Sequence, residues 1–257
     1  MSNLPHSLRV EAVVLRHSDF GEADRMLTIF TREIGKVRVV AKGVRRMRSR
    51  KAGHLEPFTR VALMLARGRD IWIVTQAETL DAYQPMREDL ERTGYAAYLT
   101  ELLDRFTYEE GENGALYRLF VEAMARVSTL EDPFPAIRYY EVRLLDLLGF
   151  RPQLFQCVKC GNEIKAEAQY FSALLGGVVC PRCGIDAAGA RPISLQALKY
   201  LRHYQRSSYA EATRVHLPDA VRPELEGLMQ FYMTYLLERG LNSPDFLREV
   251  RRKSTGD

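Results

Sequence analysis

The chain has 257 residues, of which 46% are hydrophobic and 27% charged; that is ordinary globular composition and excludes a disordered or low-complexity polymer. Its formal net charge of +4 is unevenly placed, because residues 1–80 carry 15 Lys and Arg against 8 Asp and Glu while the remainder carries 22 against 25. The longest apolar run, residues 61–66 (VALMLA), is far short of the roughly 20 residues a spanning helix needs, and charges interrupt the first apolar stretch where a signal peptide would run unbroken. The expectation is an intracellular chain of two domains, the first of them basic.

Residues 8–18 (LRVEAVVLRHS) alternate and are β-branched, which predicts a strand. The polar DFGEAD reads as a turn, residues 25–31 as a second strand, and Arg32-Glu33-Ile34-Gly35 as a tight connection to a third strand over 36–42. Residues 58–66 (FTRVALMLA) and 71–78 (IWIVTQAE) make a fourth and fifth, joined as a hairpin by Arg67-Gly68-Arg69-Asp70. Five short strands with one long connection fit a closed barrel of the oligonucleotide-binding (OB) type over residues 1–80, although an SH3-like barrel would read similarly. Phe20, Phe30, Phe58 and Trp72 are of a type that stacks on bases; filling the barrel core is the simpler reading of each.

The long connection is the most distinctive stretch. Lys42, Arg45, Arg46, Arg48, Arg50 and Lys51 place six positive charges in ten residues with no acid among them. Such a run repels itself unless it is solvated or neutralised by an anion, and a folded strand holds one end of it. That arrangement suits a phosphate backbone; the plain alternative is a solvated basic loop.

After Leu80 the apolar period becomes helical: Tyr95, Tyr98, Leu99, Leu102, Leu103 and Phe106 share one face, and Leu116, Leu119, Phe120, Ala123, Met124 and Val127 another. Asp132-Pro133 opens a third helix. Ser194 caps a helix to about Gln205, another runs over 223–239, and a last short one follows Asn242-Ser243-Pro244, with a frayed tail from Arg251. Residues 81–257 therefore read as a helical domain, and the fold class as α+β.

Within that domain stand Cys157-Val-Lys-Cys160 and Cys180-Pro-Arg-Cys183, 19 residues apart. Each CxxC lets two thiolates reach one tetrahedral ion from a tight turn, and two such knuckles complete a four-sulfur site with no open position. One structural Zn2+ held by Cys157, Cys160, Cys180 and Cys183 is the expectation, in an insertion over residues 154–190; a redox dithiol is the alternative. Disulfides do not suit a reducing compartment.

Catalytic motifs are missing. There is no GxxxxGK[ST], no GxGxxG and no HExxH, and the five histidines are scattered. Glu22 and Asp24 could hold magnesium for phosphodiester cleavage, but pairing with Arg25 or capping the turn is the simpler role. The chain is not expected to be an enzyme.

Several of these residues together resemble the N-terminal domain of the bacterial RecO family: Val14-Leu15-Arg16, the acidic Glu22/Asp24 turn, Phe30-Thr31, Gly35-Lys36, Ala41-Lys42-Gly43 followed by Arg45-Arg46, and Pro57-Phe58. The order barrel, helices, four-cysteine knuckle and closing helices ending in LLERGLNSPDFL follows the family through nearly the whole chain. The resemblance implies a cytoplasmic, nucleoid-associated recombination mediator with an OB fold. It would bind single- and double-stranded DNA, anneal complementary strands, contact the C-terminal tail of single-stranded-DNA-binding protein (SSB), and with RecR and RecF help load RecA onto SSB-coated strands. The expected DNA contacts are Lys36, Lys42, Arg45, Arg46, Arg48 and Arg50, of which Lys42, Arg45 and Arg46 match the family stretch. The rival readings are a zinc-ribbon and OB-barrel RNA-binding factor, a nuclease using Glu22 and Asp24, and a pure adaptor.

Overall fold

The first strand, β1 (Ser7–Phe20), is the longest, and it pairs along both edges. Its first half, Ser7–Val13, runs antiparallel to β4 (Arg60–Arg67), and its second half, Ala12–Phe20, antiparallel to β2 (Asp24–Thr31). A bulge at Leu15, between Val14 and Arg16, bends the strand between its two partners. β2 continues to β3 (Gly35–Ala41), and β5 (Trp72–Asp81) lies between β3 and β4, so the order β1-β2-β3-β5-β4 closes into a barrel. The β3–β5 pair is parallel, Val39 opposite Trp72 and Val40 opposite Ile73. This five-stranded closed barrel answers the expected one. The structure, a computed structural model, describes residues 6–108, 111, 113–238 and 240–255.

Period-two alternation points Val10, Ala12, Val14, Leu27, Ile29, Val37, Val39, Val61, Leu63 and Leu65 into the barrel, where all are buried. The opposite face of β2 and β3 is also covered, since Thr28, Phe30 and Lys36 are buried there. Helices supply the cover. After α1 (Gln84–Arg87) come α2 (Leu90–Phe106) and α3 (Gly114–Thr129). Tyr117 of α3 stacks on Phe30 with ring centroids 6.2 Å apart and donates its hydroxyl hydrogen to Glu11 of β1 at 3.1 Å. Asp89 caps α2, accepting from the N–H groups of Glu91 and Arg92.

The second compact unit spans Glu131–Leu241. It holds α4 (Phe134–Leu147), the three-stranded sheet β7-β6-β8 built from β6 (Gln169–Ser172), β7 (Gly177–Val179) and β8 (Arg191–Ile193), and the helices α5 (Pro181–Gly184), α6 (Leu195–Arg206), α7 (Tyr209–Ala212) and α8 (Arg222–Leu237). α4 packs on α6 and α8, and its Ile137, Tyr140, Leu144 and Leu145 are buried. Ser194 caps α6 as expected, accepting from Ala197 N–H at 3.1 Å.

Three local expectations change. Phe58 stands before β4 and not within it, with φ 67°, because its N–H is turned to the Val14 carbonyl at 2.7 Å beside the β1 bulge. β5 runs on to Asp81, because β4 pairs it as far as Arg60. The expected frayed tail is helical: α9 (Ser243–Thr255) returns to α2 in the first unit. Leu247 and Phe246 pack over Gly94, where a Cβ would meet Leu247 Cδ2 at 2.6 Å. Arg251 pairs with Glu91 at 3.1 Å and lies over the Tyr95 ring. Arg239, Gly256 and Asp257, to which the sequence-based helix end and tail extended, lie outside the described residues.

Glu101 of α2 holds the start of α9. Its carboxylate accepts from the backbone N–H groups of Asn242 and Ser243, at 2.9 and 2.8 Å, and from the Ser243 hydroxyl. A negative charge on exposed N–H groups at a helix start is favourable. Glu101→Ala is expected to cost roughly 1–2 kcal/mol, concentrated in α9. Amide hydrogen exchange should then speed up over residues 243–253 and stay unchanged in β1–β5.

Candidate nucleic-acid interface and candidate metal centre

β3 and β4 are not neighbours in the barrel, so residues 42–59 must cross from one to the other. This connection contains the basic stretch, and specific bonds hold it. Gly43 sits at φ 65°, a conformation that a side chain would oppose, and donates its N–H to Asp24 Oδ1 at 2.7 Å. Val44, 1% exposed, drops into the barrel core. Arg45 donates its backbone N–H to the Ala23 carbonyl at 2.9 Å, and its guanidinium reaches Asp19 at 3.2 Å and the Gly21 and Glu22 carbonyls. Further on, Lys51 Nζ donates to the Val74 carbonyl at 3.0 Å. Burial lowers the Lys51 ammonium below its ordinary value, against the pull of Asp24 in the other direction. Leu55 is fully buried.

Between these anchors the chain makes two consecutive turns, Arg46 N–H to Gly43 C=O at 3.2 Å and Ser49 N–H to Arg46 C=O at 2.9 Å. The tip carries Arg46, Met47 and Arg48, all exposed. The side chains of Lys42, Arg46, Arg48 and Arg50 have no hydrogen-bonding or ion-pair partner among the described residues. Four uncompensated cations on a tethered loop make the most basic exposed stretch of the barrel.

Lys36 is in a different place. It starts β3, whereas Lys42 follows its end, so about 20 Å of strand separates them. Its ammonium is nearly enclosed, donating to the Asp104 carboxylate at 3.0 Å and to the Asp104 carbonyl at 2.5 Å. Arg16 joins the same carboxylate at 3.2 Å. Lys36 thus fastens the end of α2 to the barrel and is not on the basic loop. Asp24 is likewise committed, its Oδ1 capping Gly43, which is the turn-capping role weighed against a magnesium site. Among the aromatics, Phe30 is core and Phe58 and Trp72 are half-buried, but Phe20, at the end of β1, is 50% exposed. Met47, fully exposed, is a feature that charge counting passed over; an apolar residue inside an arginine run was its only signal.

In the second unit the four cysteines converge. Their sulfurs all lie within 4.8 Å of one another, and Cys160 and Cys180 are 3.9 Å apart. A tetrahedral Zn–S bond of about 2.3 Å gives sulfur–sulfur edges of about 3.8 Å, so the donor set fits such an ion. Backbone shapes each knuckle: Gly161 N–H donates to the Cys157 carbonyl at 2.8 Å, and Gly184 N–H to the Cys180 carbonyl at 2.8 Å. A Cβ at Gly184 would run into the Tyr170 ring, which is why glycine follows the second pair. Burial pushes the Cys157 thiol up, but N–H groups of Cys180, Cys160 and Lys159 aimed at its sulfur outweigh this and bring it to about 6. Hydrogen bonding with Cys180, then burial, then the Cys160 sulfur push Cys183 up to about 12. Four thiols this close cannot all ionise without a cation between them.

A model of the recombination protein O N-terminal region matches residues 3–83, and one of its C-terminal region matches residues 87–245. The chain belongs to the RecO family. The DNA repair protein RecO of Roseiflexus sp. (strain RS-1) is 42% identical over 245 residues, which is 95% of this chain and 86% of that protein. RecO of Symbiobacterium thermophilum is 35% identical over 94% of this chain and 97% of its own length. RecO of Dehalococcoides mccartyi (strain ATCC BAA-2266 / KCTC 15142 / 195) is 32% identical over 91% and 92%. RecO is a DNA repair and recombination protein, a mediator and not a catalyst. No helix among the described residues is long and apolar enough to cross a membrane.

The position of Lys36 gives a test. Lys36→Met is expected to destabilise the fold by roughly 1–3 kcal/mol, because it removes the donor shared by the partly buried Asp104 carboxylate and the Asp104 carbonyl. Denaturant unfolding measures this, and the salt dependence of any nucleic-acid binding should stay unchanged.

Proposed function

We propose that this RecO-family protein binds single- and double-stranded DNA through the Lys42–Lys51 stretch and anneals complementary strands. With RecR and RecF it helps load RecA onto strands coated by SSB, whose C-terminal tail it also contacts. The observation that carries the DNA reading is the set of four unpartnered cations, Lys42, Arg46, Arg48 and Arg50, held on an anchored loop of an OB-type barrel. Phosphate contacts of this kind position a strand without reading its sequence, as an annealing protein requires. Annealing brings two anionic strands together and needs their charge neutralised, not a nucleotide hydrolysed. The partner list rests on the family resemblance alone.

Arg45 contributes as a strut. Its guanidinium is shared with Asp19 and the β1–β2 turn, so its loss would loosen the loop as well as remove a charge. One Zn2+ held by Cys157, Cys160, Cys180 and Cys183 fits the donor set, with a structural role since four sulfurs leave no open position.

Four phosphate contacts predict a log–log slope of binding constant against salt near about −3 on single-stranded DNA. Fluorescence anisotropy across a salt series should give that slope for the unmodified protein, and a Lys42→Glu/Arg46→Glu/Arg48→Glu/Arg50→Glu variant should lose most of it. Equal slopes would remove the loop from the DNA site.

For the metal, the protein as purified should contain about one zinc per chain. Cys160→Ser should release it and expose residues 154–193 to protease while β1–β5 keep their hydrogen-exchange protection. Because the ligands must be deprotonated, zinc affinity should fall as pH falls, read by competition with a chromophoric chelator.

A further inference from the structure

We propose that Phe20 and Met47 contact the unpaired bases of a single strand whose phosphates the loop cations hold; this rests on the DNA reading above. Two independent observations point to it. Met47 is fully exposed at the outer corner of the Arg46–Ser49 turn, between Arg46 and Arg48, with the loop backbone fixed on both sides of it. Phe20 is half exposed at the end of β1, where a barrel face would bury an aromatic ring. Arg45 ties the two places together, because it stands two residues before Met47 and its guanidinium bonds Asp19, Gly21 and Glu22 on either side of Phe20.

Met47 stands between two unpaired arginines, and Phe20 stands at the β1–β2 turn that Arg45 bonds; exposed apolar side chains such as these are unfavourable in water and gain when they cover apolar base faces. An aromatic ring offers a stacking platform to any base, independent of sequence. An unbranched thioether is adaptable and serves as a wedge between adjacent bases. Cations alone would hold a strand by its backbone in any base arrangement. An apolar pair beside them favours bases splayed from the backbone, so that the ligand class is single-stranded nucleic acid with accessible bases and not a bare polyanion.

The experiment compares the full-length protein on two polymers of equal length and charge, a deoxyoligonucleotide and the same backbone with abasic sites throughout, across a salt series. The unmodified protein should bind the base-bearing strand at least about 10-fold tighter than the abasic one. A Phe20→Ser/Met47→Ser variant should lose that preference while keeping the salt slope on both polymers, since no phosphate contact is removed. Both positions are solvent-exposed, and the retained slope is the check that the loop is intact. Equal binding of the two polymers by the unmodified protein, or a preference kept by the variant, overturns the proposal and leaves the phosphate-binding loop standing. A salt slope that does not depend on Lys42, Arg46, Arg48 and Arg50 overturns the DNA site itself, and this proposal with it.

Discussion

Strand β1 hydrogen-bonds on both edges, to β4 with its first half and to β2 with its second, and that double pairing closes the barrel. Closure fixes the order β1-β2-β3-β5-β4 and places β5 between β3 and β4. The chain leaving β3 therefore cannot turn back tightly into β4 and must travel over residues 42–59 before it rejoins the sheet. The length of the basic connection is thus a consequence of topology, and its charge is free to serve something other than folding. The fold meets the cost of ordering this segment with a few specific contacts, the Asp24–Gly43 bond, the buried Val44 and Leu55, and the Lys51–Val74 bond.

Electrostatics in the barrel unit separate cations by what faces them. Lys36 and Lys42 are six residues apart on one strand and its extension, yet the first is enclosed with Asp104 and the second meets solvent. Arg25 and Arg45 stand against Glu56 and Asp19. Lys42, Arg46, Arg48 and Arg50 stand close together on one loop without such a carboxylate, and like charges kept that close are relieved by a polyanion. Paired charges fasten elements to one another, and the exposed unpaired ones are left to solvent or a ligand.

The knuckle is the same argument with the sign reversed. Cys157, Cys160, Cys180 and Cys183 gather weak acids where backbone N–H groups favour one thiolate, and where each thiolate formed disfavours the next. A divalent cation resolves this by making all four deprotonations favourable together, and it would cross-link the segment before β6 to the start of α5. The strands around it have only three or four residues, so a cation there would add a cross-link where the sheet itself is short.

The sequence by itself determined the barrel strands, the longer helices and the four cysteines that come together. Alternation marked the five strands to within a few residues, helical spacing marked α2 and α3, and the cysteine spacing named the four converging side chains, because each of these is a short-range property. The resemblance in Ala41-Lys42-Gly43 and the residues around it pointed to the family that the comparisons then bore out. The tertiary structure alone decided which cations are free. Lys36 and Arg45 carry the same charge as their neighbours, and only the arrival of Asp104 from α2 and of Asp19 from β1 distinguishes them. It likewise decided that Phe30 is core while Phe20 is exposed, and that the helix expected after Asn242 runs on to Thr255 and is held at its start by Glu101, 141 residues earlier in the chain. Burial and charge pairing depend on which distant segments meet, and single-sequence periodicity carries no record of that.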